Sequence, residues 1–253
     1  MNNFTHCIQS SFYKVLHSRI LWLHIIVPVL GISVFGGYFS YSPWGENDKI
    51  FGFIQAVIVA FPLMIAIAVS MLDEQEANAG NYHGILAAPY SKIISHIGNF
   101  IAISVLGLCA SIFTVFGFGI IFHLMGYTAY PITLFLKLSL LVFALNFGVY
   151  IIQYMISFAF GKGISLGFGI MGTLLSCLLY YGLADGFWQY IPFGWGIRIS
   201  AYYLFKVTNP QAFNTVMLDY RAGSLTMIIM TVVFMVCFVI WSKNWQGQRY
   251  KSE

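Results

Sequence analysis

The sequence predicts an all-α polytopic membrane protein: one domain over 1–253, with six transmembrane helices, an N-terminal amphipathic interfacial helix and an outer re-entrant element before the last helix. Three observations predict it. Of the 253 residues, 59% are hydrophobic and only 8% charged, against about 25% charged in ordinary soluble domains, so there are too few ions to cover a water-facing surface. Six apolar runs, 20–39, 50–72, 97–123, 137–160, 164–184 and 223–241, are near the roughly 20 residues that a helix needs to cross a bilayer. Between the second and third runs lies the polar stretch 73–92, which carries Asp73, Glu74 and Glu76, three of the eight acidic residues. Carboxylates are costly in hydrocarbon, so this stretch is expected as a loop in water.

Taken in order, the first sixteen residues mix Asn, His, Gln, Ser and Lys with apolar side chains and offer no uninterrupted apolar core, so no cleavable signal peptide is expected there, and 1–19 reads as the interfacial helix. Phe4, Ile8, Phe12, Val15 and Leu16 recur at helical spacing, while Asn3, Ser10, Lys14 and His17 lie mostly elsewhere on the wheel. This pattern fits an amphipathic helix on the membrane face. The first span has Trp22 near one end and Tyr38, Tyr41 and Trp44 near the other, as an aromatic belt requires. Pro28 within it and Pro62 in the second span are candidate kinks.

In the polar stretch, Tyr82, Ile85, Leu86 and Pro89 fall at i, i+3, i+4 and i+7. A short helix over 82–88 would gather them into one apolar face on a water-side segment, which calls for a partner groove. Gly80 permits a sharp turn before it, and Pro89 with Ser91 and Lys92 makes a stop. The plainer reading is an ordinary surface turn between two membrane helices.

The third apolar stretch runs almost unbroken over 93–125, longer than a bilayer needs, so tilt or projection is expected. In the fourth span Asn146, Tyr150, Gln153 and Ser157 form a polar stripe that should face another helix or an internal path. The fifth carries small residues at Ser165, Gly169, Gly172 and Ser176, plus Gly163 and Gly167 in G-x-x-x-G spacing, suited to close helix approach. The segment 185–222 opens with GFWQYIPFGWGIRISAYYLF, too aromatic for a solvated loop. A re-entrant or interfacial hairpin broken near Pro192, Gly194 and Gly196 is expected, with Arg198 reaching lipid phosphate or a carbonyl. The stretch after Trp241 reads as a short basic tail for the inner leaflet.

An even number of spans puts both termini on one side. Lys14, Arg19, Lys92, Lys162, Lys243, Arg249 and Lys251 fall on that side, against Lys49, Lys137, Arg198, Lys206 and Arg221 on the other. The excess favours cytoplasmic termini and a cytoplasmic 73–92 loop.

Several functions are disfavoured. The net charge of +4 comes from dispersed basic residues, which is no nucleic-acid footprint. Cys7, Cys109, Cys177 and Cys237 are far apart, and the six histidines are singletons without ligand spacing, so no metal site is expected. No H-E-x-x-H, paired intramembrane carboxylate or G-x-S-x-G motif occurs, and no catalytic residue is expected on this chain. Proton-coupled carriers need ionisable groups at membrane depth, whereas every acidic residue here lies at or beyond a span end. Nor is there a P-loop. The one Gly-Lys pair, Gly161-Lys162, has Ile156 and Gly163 where the motif demands Gly and Ser or Thr. Nucleotide energy would have to come from another polypeptide.

The stretch EQEANAGNYHGILAAPYSK (74–92) resembles the first cytoplasmic loop of type-2 ABC exporter permeases. Together with FGKGISLGFGI (160–170) and LADGFWQYIPFGWGIR (183–198), it is similar to the permeases of lantibiotic-immunity ABC transporters, over nearly the whole six-span layout. The resemblance implies a complex in a bacterial cytoplasmic membrane, with two ATPase subunits that hold ATP and Mg, and a second six-span permease, commonly a different chain. It implies removal of a lanthionine peptide from the bilayer, giving self-immunity. It also implies that Glu74, Glu76, Gly80, Tyr82, Ile85, Leu86 and Pro89 couple to the ATPase, and that Phe187, Trp188, Pro192, Trp195 and Arg198 form the outer re-entrant element. Asn146, Tyr150 and Gln153 stand as a polar path or interface. His83-Gly84 departs from the family's longer polar side chains there and leaves the docking helix's length open. Two alternatives stay beside this reading: a general exporter of hydrophobic drugs or lipids, and a membrane sensor that does not pump.

Overall fold

The computed structural model describes residues 3–248; Arg249 and Lys251 lie outside them. Among the described residues the chain is all-helical. Its elements are α1 (Asn3–Leu16), α2 (Arg19–Tyr41), α3 (Glu46–Asn78), a single turn α4 (His83–Leu86), α5 (Lys92–Leu124), α6 (Ile132–Phe160), α7 (Lys162–Tyr180), a 3-10 turn (Trp188–Tyr190), α8 (Pro192–Thr208) and α9 (Pro210–Asn244). Six of these, α2, α3, α5, α6, α7 and α9, are long and apolar enough to cross a membrane. The protein is a multi-pass membrane protein.

The three longest overrun the bilayer by the most. α3 and α5 have 33 residues each and α9 has 35, or about 50 Å at 1.5 Å per residue, against an apolar thickness of about 30 Å. α9 therefore starts well before the apolar run at 223. Pro210 occupies its first turn, and the Asn209 side chain accepts from the Ala212 N–H at 3.1 Å, a capping pair that begins a helix whatever its hydropathy. α2 is capped likewise by Ser18, whose hydroxyl accepts from the Ile20 N–H at 3.2 Å and donates to the Val15 carbonyl at 2.8 Å.

Without a hydrophobic drive between helices inside lipid, packing comes from close approach. α7 lies antiparallel on α3: Ser70 donates to Ser165 at 2.9 Å, and a Cβ on Gly169 would overlap Ala66. Gly172 faces Phe193 of α8 with equal closeness, and Ser176 donates to the Phe193 carbonyl at 3.1 Å. Gly163 and Gly167, the other small pair, face open space rather than a neighbour. α5 and α6 run antiparallel, with Ser111 donating to the Ser139 carbonyl at 2.8 Å and Phe100 against Phe147. At the start of α3 the fully buried Lys49 donates to the Phe39 carbonyl at 3.0 Å and lies over the Tyr127 ring, so its charge is met within the fold.

The segment before α9 folds back into the bundle, but its bends differ from expectation. Pro192 opens α8, and Gly194 and Gly196 lie inside that helix, where the lack of a side chain admits Trp188 and Ile58. The turns are at 181–191 and at Asn209 instead. Phe193, beside Gly172, marks the depth reached. From there α8 climbs antiparallel to α3, with Gly196 at Ile58, Ser200 bonded to Gln55 at 3.1 Å and Phe205 stacked on Phe51.

α1 turns Cys7, Ser11 and Val15 inward, while Phe4 and Leu16 are exposed. The face that meets the protein is thus the small, mixed one. Ser11 donates to Asn99 of α5 at 2.8 Å; Phe12 packs half-buried against the core, and Phe4 and Leu16 are turned away from the bundle.

Candidate functional site

Two of the eight acidic residues, Asp73 and Glu76, are each 3% exposed, and both stand at the end of α3 that meets α1 and the C-terminal segment. The expectation that 73–78 is a solvated loop is corrected: α3 continues to Asn78, because its carboxylates find partners within the protein. Asp73 Oδ1 accepts from the Tyr82 hydroxyl at 3.0 Å, and Oδ2 accepts from Ser157 of α6 at 3.3 Å. Glu76 Oε1 takes Lys14 of α1 at 2.8 Å and the Asn99 amide of α5 at 3.1 Å. Gln75 reaches the Lys14 carbonyl at 3.3 Å. Glu74, in contrast, meets Lys162 at 3.1 Å on an exposed surface, a pair of little energetic weight.

The turn leaving α3 explains how Tyr82 gets beneath the loop. Gly80, Asn81 and Tyr82 take φ of 117°, 48° and 63° in succession. The Asn81 and Tyr82 N–H groups donate back to the Ala77 and Glu76 carbonyls at 2.7 and 3.1 Å. Left-handed backbone costs a non-glycine residue roughly 1–2 kcal/mol, and the hydrogen bonds of the buried Tyr82 help to offset it.

Tyr82 and Ile85 are each 1% exposed and belong to the protein core. The proposed apolar docking face is therefore corrected. Two of its four residues point into the bundle, α4 is a single turn, and the surface of the loop consists of His83, Gly84, Leu86, Ala87 and Pro89 with Gly80 and Asn81. Periodicity located the residues but could not tell the inward from the outward side of so short a helix.

The C-terminal segment closes the site from below. Trp245 is buried, its indole N–H donating to the Phe158 carbonyl at 2.8 Å and its ring set edge-on to Tyr82 and His96. Lys92 donates to the Trp245 carbonyl at 2.9 Å, and Gln248 to the Ser157 carbonyl at 2.6 Å. The expected free basic tail is thus, up to Gln248, part of the packed fold. Beside the loop, burial and the Cys7 thiol push the Tyr90 phenol up to about 12, so it stays a neutral hydroxyl. Asn99, Trp245 and Gln248 carry no signal in the sequence, and Lys14 reads there only as a polar-face and topology residue. Their partners lie 23 to 153 positions away, beyond any local pattern.

The outer residues form a separate unit. Trp188 and Trp195 are buried, and Phe187 is exposed. The Trp195 N–H donates to the Gln189 carbonyl at 2.7 Å, Arg198 donates to the Leu179 carbonyl at 2.7 Å, and its guanidinium pairs with Asp185. Arg198 is therefore engaged by the chain itself. Along α6, Asn146 donates to the Val142 carbonyl at 2.9 Å, while Gln153 donates to the Ser165 carbonyl and hydroxyl at 2.8 and 2.6 Å. The stripe faces neighbouring helices, and Tyr150 also lines the cavity between α2, α3, α5 and α6.

At the base of the 79–91 loop, Asp73 bonds Tyr82 and Ser157 of α6, Glu76 bonds Lys14 of α1 and Asn99 of α5, and Tyr82 packs on Trp245 of the C-terminal segment. Comparisons with family models, curated proteins and solved structures found no match.

Proposed function

We propose that this chain is the membrane-spanning permease subunit of an ATP-driven exporter of the type-2 ABC kind, and that its cargo is a lanthionine peptide expelled from a bacterial cytoplasmic membrane in self-immunity. ATP and Mg act on a separate ATPase, present in two copies, and a second six-span permease completes the complex. The termini and the 79–91 loop face the cytoplasm. The observation that carries this reading is a loop with exposed Leu86, Ala87 and Pro89 at its tip and two buried carboxylates at its base. A force applied at the tip is delivered to helices of the span, which is what a chain without its own P-loop requires of a partner.

The test uses the surface residues and spares Tyr82. Leu86→Asp with Pro89→Asp should leave membrane insertion and monodispersity unchanged, abolish copurification of the ATPase and remove protection against the peptide. Unchanged copurification sinks the reading. A second reading, an exporter of small hydrophobic compounds on the same scaffold, is favoured by the apolar cavity of about 170 Å3 within the span. Retained drug efflux without peptide protection distinguishes it.

A further inference from the structure

Helices α2, α3, α5 and α6 enclose a cavity of about 170 Å3, walled by Gly31, Ala56, Ala60, Gly107, Ala110 and Tyr150 among others. At about 30 Å3 for a water-sized group, it has room for roughly five or six methylenes. Gly31 lies midway along α2 and Ala60 midway along the apolar run 50–72, so the cavity sits at mid-membrane depth. Ala60 is exposed although it lines the wall, so the opening is sideways, toward hydrocarbon.

Two features separate this cavity from a packing fault. Tyr150 is 3% exposed, its hydroxyl sits where a Cβ on Gly107 would overlap it, and among the described residues nothing hydrogen-bonds to it. The other wall hydroxyls, on Ser111 and Thr114, donate to the Ser139 and Ala110 carbonyls at 2.8 Å each. His24 donates through Nδ1 to the Ile20 carbonyl at 2.8 Å. Tyr150 is thus a nearly buried side chain whose hydroxyl has no protein partner among the described residues, and such a group calls for one. The second feature is room: a Cβ built on Gly31 meets nothing within 4 Å. An apolar cavity of this size stays free of water and takes apolar guests.

We propose that this cavity binds one unbranched apolar chain bearing a single hydrogen-bonding group, drawn sideways from the bilayer, with the Tyr150 hydroxyl as partner of that group. The proposal needs only that the chain spans a bilayer, so it stands or falls independently of export.

The test uses the full chain in lipid nanodiscs and, as probe, octan-1-ol carrying a diazirine on carbon 3. The probe's hydroxyl end and first carbons occupy the cavity, while its remaining carbons lie in the sideways opening. Irradiation should label residues in 23–35, 53–64 and 107–114 saturably, and unlabelled octan-1-ol should compete. Gly31→Leu, which fills the space, should abolish this labelling. Gly37→Leu should not, because Gly37 is on the same helix with equal room at its Cβ but off the cavity. Tyr150→Phe should weaken binding of the alcohol roughly two- to tenfold, the effect of one lost hydrogen bond. Labelling that rises linearly with probe and covers the exposed Ile26, Val29 and Leu30 evenly would mean bulk partition only and overturns the proposal, as does full labelling of Gly31→Leu. The competition in the unaltered protein decides the matter should Gly31→Leu not fold.

Discussion

Tyr82→Phe is the sharpest perturbation of the loop's footing, because it deletes one oxygen and nothing else. Tyr82 is 1% exposed and Asp73 3%, and the hydroxyl donates to Asp73 Oδ1 at 3.0 Å. With the hydroxyl gone, Asp73 loses the closer of its two bonds from Tyr82 and Ser157, the latter at 3.3 Å, and keeps the Gln248 side chain beside it. A hydrogen bond to a charged group contributes about 1.5–3 kcal/mol, and an abandoned buried acceptor incurs a penalty of that order. The loss falls on the closed state of the loop, while the transmembrane packing is untouched. Amide hydrogen exchange over 79–91 reads that local opening directly, and exchange there should quicken by roughly 10- to 150-fold. Exchange in the middle of α5 and α6 should stay constant. An acceleration below about twofold would mean that the Asp73 contact contributes nothing to the loop's closure, and the mechanical reading of the site would lose its basis.

The two ion pairs on this side of the bundle should behave differently. Lys14→Ala strands Glu76, which is buried, and should cost about 1–3 kcal/mol, less than for a wholly buried pair since Lys14 is one-third exposed; Lys162→Ala breaks an exposed pair and should cost under about 1 kcal/mol. Thermal unfolding in detergent ranks them, and equal losses would contradict the burial argument. Gly169→Leu drives a side chain into Ala66 and should separate α3 from α7 at a cost of at least about 1–3 kcal/mol. Gly167→Leu, with open space at its Cβ, should leave the unfolding midpoint unchanged.

How much of this could be read from the chain alone depends on how local each signal is. The six spans were legible because hydropathy is a property of the segment itself. The run at 223 nonetheless hid the true start of α9, since Asp219 and Arg221 interrupt apolarity without interrupting the helix. Asn209 and Pro210 were the better guide. Asp73 and Glu76 were misread as solvated for the opposite reason. A carboxylate's environment is set by what surrounds it, and Lys14, Asn99 and Ser157 come from other helices. In the re-entrant segment the aromatic and glycine content announced an unusual element. The place of the bend was missed because Pro192 acts as a helix opener there, not a breaker. The small-residue face of α7 was half legible: Ser165, Gly169, Gly172 and Ser176 are buried, while Gly163 and Gly167 are exposed.

The account's central claim is that the tip of the 79–91 loop lies inside the cell and is held there by an ATP-hydrolysing partner. A photoreactive amino acid at position 86, in place of the exposed Leu86, tests it in intact cells. The account predicts one prominent adduct, with the ATPase chain, and no reaction of Leu86→Cys with a membrane-impermeant maleimide added outside. Labelling of that cysteine from outside, or adducts to lipid alone, would contradict it.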